Sequence, residues 1–388
     1  MKKHSIIIIL ILSSYNLSAQ SIEDLSFGTD TTFEAMTWNI EWFPKNGQTT
    51  ANYVSQIIEA LDVDLVAIQE VDDTILFKQM INGMNEYEGY FKSSWFAGLA
   101  YIYKTDVIEI NDIYEIYTTE PYWRAFPRSP MVMELSFMNE DFIIINNHFK
   151  CCGDGILNPY NEWDEETRRL DASNLIKQFI DSNFPNKRVI VLGDLNDVLT
   201  DEPVNNVFQP FFDDAGNYLF ADMNIALGNS SNWSYPTWPS HLDHILVTNE
   251  LFDELENEGS DIECIRIDDY LSGGWWEYES NISDHRPLAL KIKPDHGAGI
   301  NEINTSVLIL SNYPNPFTDV TNIFFNPVRE NTKIEIYNST GQKVYSENIP
   351  KGQSSLIWNA ESFPNGVYFS ILISNREVIG FSKMLHAR

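Results

Sequence analysis

The stretch Val189-Ile190-Val191-Leu192-Gly193-Asp194-Leu195-Asn196-Asp197, VIVLGDLND, runs four aliphatic residues into a glycine and then into two acids and an amide. An unbroken aliphatic run of this length, bounded by turn formers, reads as a strand covered on both faces. Its polar ending recurs along the chain. Trp38-Asn39-Ile40-Glu41 closes a strand that begins at Phe33, Ile68-Gln69-Glu70 one that begins at Leu65, and Asn146-Asn147-His148 one that begins at Phe142. Further strands are expected over 97–103 and 131–137, with helices over 50–61 and 165–180. Strands alternating with helical patterns predict a layered α/β sandwich. Side chains at strand ends stand where rigid backbone meets open surface, so they can converge on one cleft. In the opening stretch Gly193 is expected to let the chain leave the sheet. The two-residue spacing would then keep Asp194 and Asn196 on the same side of an extended backbone.

Outside this body the chain changes character. MKKHSIIIILILSSYNLSAQ begins with Lys2 and Lys3, continues through an apolar run from Ile6 to Leu12 and closes on small residues near Ala19, the pattern of a secretory signal peptide over residues 1–19. The run is far short of the roughly 20 residues a membrane span needs, so no integral membrane segment is expected in the mature chain. Residues 300–388 hold seven acids and seven bases and are neutral, which leaves a formal −33 on residues 20–299 out of a total of −31. Such a body is no passive nucleic-acid binder held by a basic surface. The stretch KPDHGAG, residues 293–299, has linker composition and marks the boundary. Beyond it Thr332 to Tyr337 alternates by twos, Asn338-Ser339-Thr340-Gly341 turns, and Gln342 opens the next strand, which predicts a small all-β sandwich. The segments YPNPF (313–317), IEIYNSTGQKV (334–344) and PNGVYF (364–369), with Lys383 near the end, resemble the C-terminal sorting domain of the bacterial type IX secretion system. That resemblance implies type IX secretion machinery as a partner, and a body released or attached at the cell surface.

Each polar strand end has a bland explanation when taken singly, since Asp and Asn after a strand are common turn formers and helix caps. A calcium loop of the EF-hand kind is excluded at 194–199, because Val198 and Leu199 stand where Asp or Asn and then Gly are required. The cysteines Cys151, Cys152 and Cys264 are odd in number and lack zinc-site spacing. In an exported chain one bridge is expected, either from Cys264 to a neighbour or within the vicinal pair. Trp275 and Trp276, in GGWWEYES, are read mainly as packing residues, with contact to a base, a duplex or a lipid surface as the other readings. His241 and His244 are read as loop donors.

As an ordered set, WNxE, QE, NH, GDxN, LDH and SDH resemble the endonuclease/exonuclease/phosphatase family over roughly residues 33–293. The resemblance implies a four-layer α/β sandwich, two central sheets packed face to face with helices outside, and a metal-dependent phosphoric ester hydrolase. A phosphodiester repels its nucleophile, and a divalent cation offsets that charge. Magnesium is expected, with manganese or calcium as alternatives, because hard cations prefer oxygen ligands. By the resemblance Glu70 is the principal metal ligand, with Glu41 and Asn39 beside it. Asp284 is a second metal contact or a partner of His148. His285 and His148 supply acid–base groups, Asp243 orients His285, Asn196 binds phosphoryl oxygens, and Arg128 contacts phosphate. Asp194 and His285 both qualify to activate water. The expected substrate is nucleic acid, DNA or RNA, hydrolysed by a monomer. Lipid (sphingomyelinase-like), sugar or nucleotide phosphates are the alternatives. Lys150, Arg168 and Arg169 are further bases expected near the site.

Overall fold

The computed structural model describes residues 20–294, 310–325, 332–339, 341–374 and 377–387. The expected signal peptide and most of the 293–299 linker lie outside the described residues. The chain divides into two compact units, Met1–Asp295 and His296–Arg388.

The first unit holds two mixed six-stranded sheets. Strands β1 (Phe33–Phe43), β2 (Leu65–Val71), β3 (Tyr87–Tyr90) and β4 (Gly98–Lys104) belong to the first sheet, and β5 (Ile108–Glu115), β6 (Met131–Phe137), β7 (Glu140–His148), β8 (Arg188–Asp194), β9 (Tyr218–Phe220) and β10 (Asp243–Thr248) make the second. β11 (Asp261–Cys264) and β12 (Leu288–Ile292) return to the first, giving orders β11-β12-β1-β2-β4-β3 and β5-β6-β7-β8-β10-β9. β1 with β2, and β7 with β8, are parallel, and the other neighbours are antiparallel.

Alternation along each central strand explains the unbroken apolar runs. Ile190 and Leu192 of β8 face a layer shared with Ala35, Leu65 and Ala67 of the other sheet. Val189 and Val191 point the opposite way, onto Ala172, Ile176 and Ile180 of helix α3 (Glu165–Asn183) when the helices α1 (Gln48–Leu61) and α2 (Thr74–Ile81) are counted before it. Met36, Trp38, Val66 and Ile68 of the first sheet likewise meet Val54, Ile57 and Ile58 of α1 and Phe77 of α2. Each strand buries both faces, so both parities must be apolar. The result is the expected helix/sheet/sheet/helix sandwich.

Polar ties cross the layer between the sheets. Gln69 Nε2 donates to Asn146 Oδ1 (2.8 Å), and Asn146 Nδ2 donates to the carbonyls of Ile68 (3.0 Å) and Ala100 (3.1 Å). Both amides are fully buried, where an unpaired polar group costs about 1–3 kcal/mol. They therefore fix the mutual register of β2 and β7.

Gly193 departs from its expected role. It lies inside β8, paired with Asn147 of β7 and His244 of β10, at φ 149°. A Cβ there would lie 2.0 Å from the Asn147 carbonyl oxygen, so the glycine serves close approach of two strands and not an exit from the sheet.

The second unit is all-β. One antiparallel sheet joins Ser311–Tyr313, Val320–Phe324 and Ser355–Asn359, and another orders Lys343–Ile349, Thr332–Asn338, Gly366–Ser374 and Glu377–His386. Phe317, Ile323, Ile334, Ile336, Trp358 and Leu372 fill its core.

Candidate active site

The site is assembled from strand ends and the turns that follow them. Five of its lining residues are non-glycine residues in left-handed backbone, among them Glu41 (φ 39°), Glu70 (φ 66°) and Asn196 (φ 55°). Such positions cost about 1–3 kcal/mol each and persist only where surrounding contacts enforce them. Those contacts are present. The Glu41 N–H donates to Asn39 Oδ1 (3.0 Å), the Trp42 N–H to Glu70 Oε2 (3.0 Å) and the Asn196 N–H to Asp194 Oδ1 (3.1 Å). Asp194 and Asn196 thus meet in a tight turn, and the extended backbone expected between them is not found.

Asn39, Glu41, Glu70, His148, Asp194, Asn196, Asp284 and His285 line one cleft of about 330 Å³. Asp194 is at its centre. Its Oδ2 accepts from Asn39 Nδ2 (3.0 Å) and lies 3.5 Å from His148 Nε2 and 3.8 Å from His285 Nε2. His148 Nε2 is also 3.8 Å from Glu70 Oε1. Asp243, fully buried behind His285, has Oδ2 2.7 Å from its Nδ1. Asp284 lies beside His285, its Oδ1 3.9 Å from Nε2, and donates its N–H to Glu41 Oε2 (2.9 Å). These contacts join Asp284 to Glu41 and His285.

Electrostatics separates the two histidines. Burial alone would lower His285, but Asp243 and then Asp194 outweigh it and raise the imidazole to about 10. His148 is held well below its ordinary value by burial and by the nearby charges of Arg128 and His285. Its Nδ1 is buried without a partner. Burial pushes the Asp194 carboxyl up, against the opposing pull of His285.

A supporting set of contacts, which the motifs do not reveal, holds these groups. Ser283 Oγ donates to the Asn39 carbonyl (2.7 Å) and accepts the His285 N–H (2.9 Å), locking the end of β1 to the SDH turn. Tyr278 Oη donates to the His285 carbonyl (2.6 Å). Asp222 is fully buried between His244 Nδ1 (2.6 Å) and His241 Nε2 (3.0 Å), while His244 Nε2 lies 2.8 Å from the Asp197 carbonyl oxygen. His244 is therefore an internal anchor of the Asp194–Asp197 turn, while His241 ties Asp222 to the Ser234 N–H (3.3 Å), and neither is a mere loop donor. His241, His244 and Asp222 could hold a metal by geometry, yet their polar atoms already pair with one another and with backbone. Tyr235 also lines the cleft, its ring 4.9 Å from that of His285.

Several expectations are corrected. Arg169 is buried and faces Glu166 (3.3 Å) and Asp197 (2.8 Å), so its charge is spent internally. Arg168 donates to the Arg124 carbonyl (2.5 Å). Arg128 donates to the Ala97 carbonyl (3.3 Å) and is not among the cleft-lining residues, although its charge reaches His148. The GGWWEYES segment lies in a helix, Gly274–Asn281. Trp275 packs on Tyr278 and under Arg286, and Trp276 is exposed. All three cysteines are free. Cys264 is buried in the layer between the sheets, and Cys151 and Cys152 are exposed with their sulfurs 2.9 Å apart.

The donor set suits a hard divalent cation. Glu70 receives only neutral donors, from Asn39 (3.3 Å) and Trp42 (3.0 Å), so its carboxylate has no cationic partner among these bonds. Glu41 differs, being ion-paired to Lys45.

Comparisons with known proteins bear on the fold and the family. The D. rerio TDP2 structure complexed with single strand DNA product shares the fold at 13% identity and a TM-score of 0.50, covering 68% of this chain and 100% of that one. An endonuclease/exonuclease/phosphatase from Bacteroides vulgatus aligns at 16% identity (TM-score 0.48, 68% and 98% covered), and the human Nocturnin catalytic domain with bound sulfate anion at 15% (TM-score 0.46, 68% and 94% covered). No curated protein matches. Residues 311–384 match the secretion system C-terminal sorting domain, which marks the chain for export to the cell surface or beyond. No helix among the described residues is long and apolar enough to cross a membrane. Residues 36–285 match the Endonuclease/Exonuclease/phosphatase family, and the chain belongs to this family of phosphoric ester hydrolases.

Proposed function

We propose that the mature protein is a divalent-metal-dependent phosphodiesterase, and specifically a nuclease that cleaves extracellular DNA or RNA. A signal peptide over 1–19, a catalytic body over 20–299 and a sorting tail over 300–388 complete the reading. The observation that carries it is the convergence of Glu70, Asp194, Asn196, His148 and His285 on one cleft, with Asp243 behind His285.

Glu70 and Asn39 would hold the cation, with Asp284 and, once Lys45 is displaced, Glu41 beside them. Bound there, the cation would offset phosphate charge and stabilise the crowded phosphorus. Magnesium is the ion we favour, since every donor is an oxygen. The chain's own groups divide the proton work. His285, held protonated by Asp243, is the donor and charge stabiliser facing the phosphoryl group. Asp194, whose carboxyl burial lifts toward neutral pH, accepts the proton of the attacking water, for which a base near the working pH is best suited. Asn196 donates its amide to phosphoryl oxygen, and neutral His148 fixes the Glu70 and Asp194 side of the cleft. Arg128 would reach phosphate only from the edge.

A body of −33 slows approach of a polyanion. An aromatic pair at the cleft favours nucleic acid nonetheless. Trp42, half-exposed on the lining, packs against exposed Phe96 with ring centroids 5.6 Å apart, and a base stacked on such a ring gains about 1–3 kcal/mol. The test is a matched panel of plasmid DNA, RNA, sphingomyelin, bis-p-nitrophenyl phosphate and p-nitrophenyl phosphate, with Glu70→Ala as contaminant control. We expect nicking of double-stranded DNA without strong sequence preference and a rate that falls as monovalent salt rises. The control should lose about 10²–10³ in rate. Turnover of the lipid or the monoester alone overturns the nuclease reading.

A further inference from the structure

The cleft wall carries a feature that phosphoester hydrolysis does not use. Cys151 and Cys152 line it together with Glu70, His148 and Asn196. Both thiols are exposed, and Cys152 Sγ lies 2.9 Å from Cys151 Sγ. Their backbone is held from beneath. The buried Arg169 donates to the carbonyls of Lys150 (2.8 Å) and Cys152 (2.7 Å) and also to Asp197 (2.8 Å), so one guanidinium clamps this loop to the turn that carries Asn196. Cys152 is in left-handed backbone (φ 72°) and Gly153 follows at 107°. Lys150 Nζ donates to the Cys151 carbonyl (3.0 Å) and lies 3.6 Å from its sulfur. The third thiol cannot join them, because Cys264 is buried in the inter-sheet layer.

We infer that Cys151 and Cys152 are a reversible dithiol–disulfide couple in the substrate cleft, and that its closure changes how the cleft wall meets an anionic substrate. The second half rests on the phosphodiesterase reading. The oxidant is a protein or small-molecule disulfide. One Cys sulfur attacks it to give a mixed disulfide and one free thiol, and the neighbouring Cys sulfur then displaces the second thiol. Two S–H bonds are broken and one S–S bond is formed; the two electrons and two protons leave on the oxidant, now two thiols. Consecutive Cα atoms are about 3.8 Å apart, below the usual disulfide range of about 4.4–6.8 Å. A ring closed over that distance is strained and more readily reduced than a structural bridge, which suits a switch and not a staple. Closing the ring redraws the stretch of cleft wall that both residues line, whereas the Lys150 bond to the Cys151 carbonyl does not involve sulfur.

The purified mature chain, equilibrated in glutathione buffers of graded potential, is alkylated without denaturation and weighed intact. The oxidised pair should be about 2 Da lighter than the dithiol before alkylation and should refuse the two alkyl groups that the reduced pair accepts. In parallel, oxidation should shift KM for bis-p-nitrophenyl phosphate several-fold with kcat nearly constant. That shift should vanish in Cys151→Ser/Cys152→Ser and survive in Cys264→Ser. A pair that stays reduced at every potential overturns the couple, and a KM shift that persists in the double serine variant overturns the link to substrate. Mass reports the couple alone, so an enzyme inactive in both states yet showing the mass change would refute the phosphodiesterase reading and leave the couple standing.

Discussion

Replacing Gly193 by alanine tests the packing that brings the site together. The added Cβ would lie 2.0 Å from the Asn147 carbonyl oxygen, 2.8 Å from its carbon and 3.0 Å from the Asn147 nitrogen. All three are backbone atoms of the adjacent central strand, so no flexible side chain can yield. β7 and β8 must part, or the chain must leave its φ of 149°. Overpacking of a tight interior costs about 1–3 kcal/mol, and a glycine-type backbone conformation forced on alanine about 1–3 more. The sum, about 2–6 kcal/mol, is a large share of a native stability of about 5–15 kcal/mol. At about 2–4 °C per kcal/mol for a domain of this size, Tm should fall by roughly 4–24 °C. The next pair in register is His148 with Asp194, so activity should fall with stability. Gly216→Ala is the control: its Cβ meets nothing within 4 Å, and it should change stability by less than about 0.5 kcal/mol. Differential scanning calorimetry of the two variants decides the matter. A Gly193→Ala protein that melts with the wild type would refute the close-approach argument, whatever its activity.

Three further outcomes are expected. Exhaustive chelation should abolish hydrolysis and added magnesium or manganese should restore it, as measured on plasmid nicking; undiminished activity in the chelated protein removes the metal from the mechanism. Asp243→Asn should cut kcat by about 10²–10⁴ and also change the pH dependence of stability. His285 is raised from 6.5 to about 10 in the folded state, so its contribution is complete below the unfolded value and is lost as pH rises through the folded one. The Tm gap between wild type and variant should therefore be widest below pH 6.5 and close toward pH 10, and a gap that widens with pH contradicts the pairing. Deletion of residues 305–388 should leave the purified body active while trapping it in the periplasm of a host with this secretion system, whereas normal surface delivery would refute the sorting role of the tail.

Much of the molecule was legible in one dimension because burial leaves a local imprint. A strand covered on both faces must be apolar at both parities, and VIVL and IIIN say so without reference to any partner. Polar residues at the ends of such runs then had to lie at one edge of the sheets, and their order carried the family. The edge strands Tyr87–Tyr90 and Ile108–Glu115 were not legible, since they are half-exposed and mix polar with apolar residues. What only the tertiary structure decided is each case where a residue's meaning depends on an atom far along the chain. Gly193 is required by the carbonyl of Asn147, 46 positions earlier, and not by a turn of its own. Gln69 and Asn146 look like site residues in sequence and are ties between sheets. Arg169 looks like a phosphate-seeking base and is neutralised by Glu166 and Asp197, while Asp222 carries no motif and anchors two histidines. Local pattern reports which face a side chain turns to the interior. Whether a buried polar atom is catalytic, structural or silenced depends on which partner completes its hydrogen bonds, and that partner is chosen by the packing of distant segments.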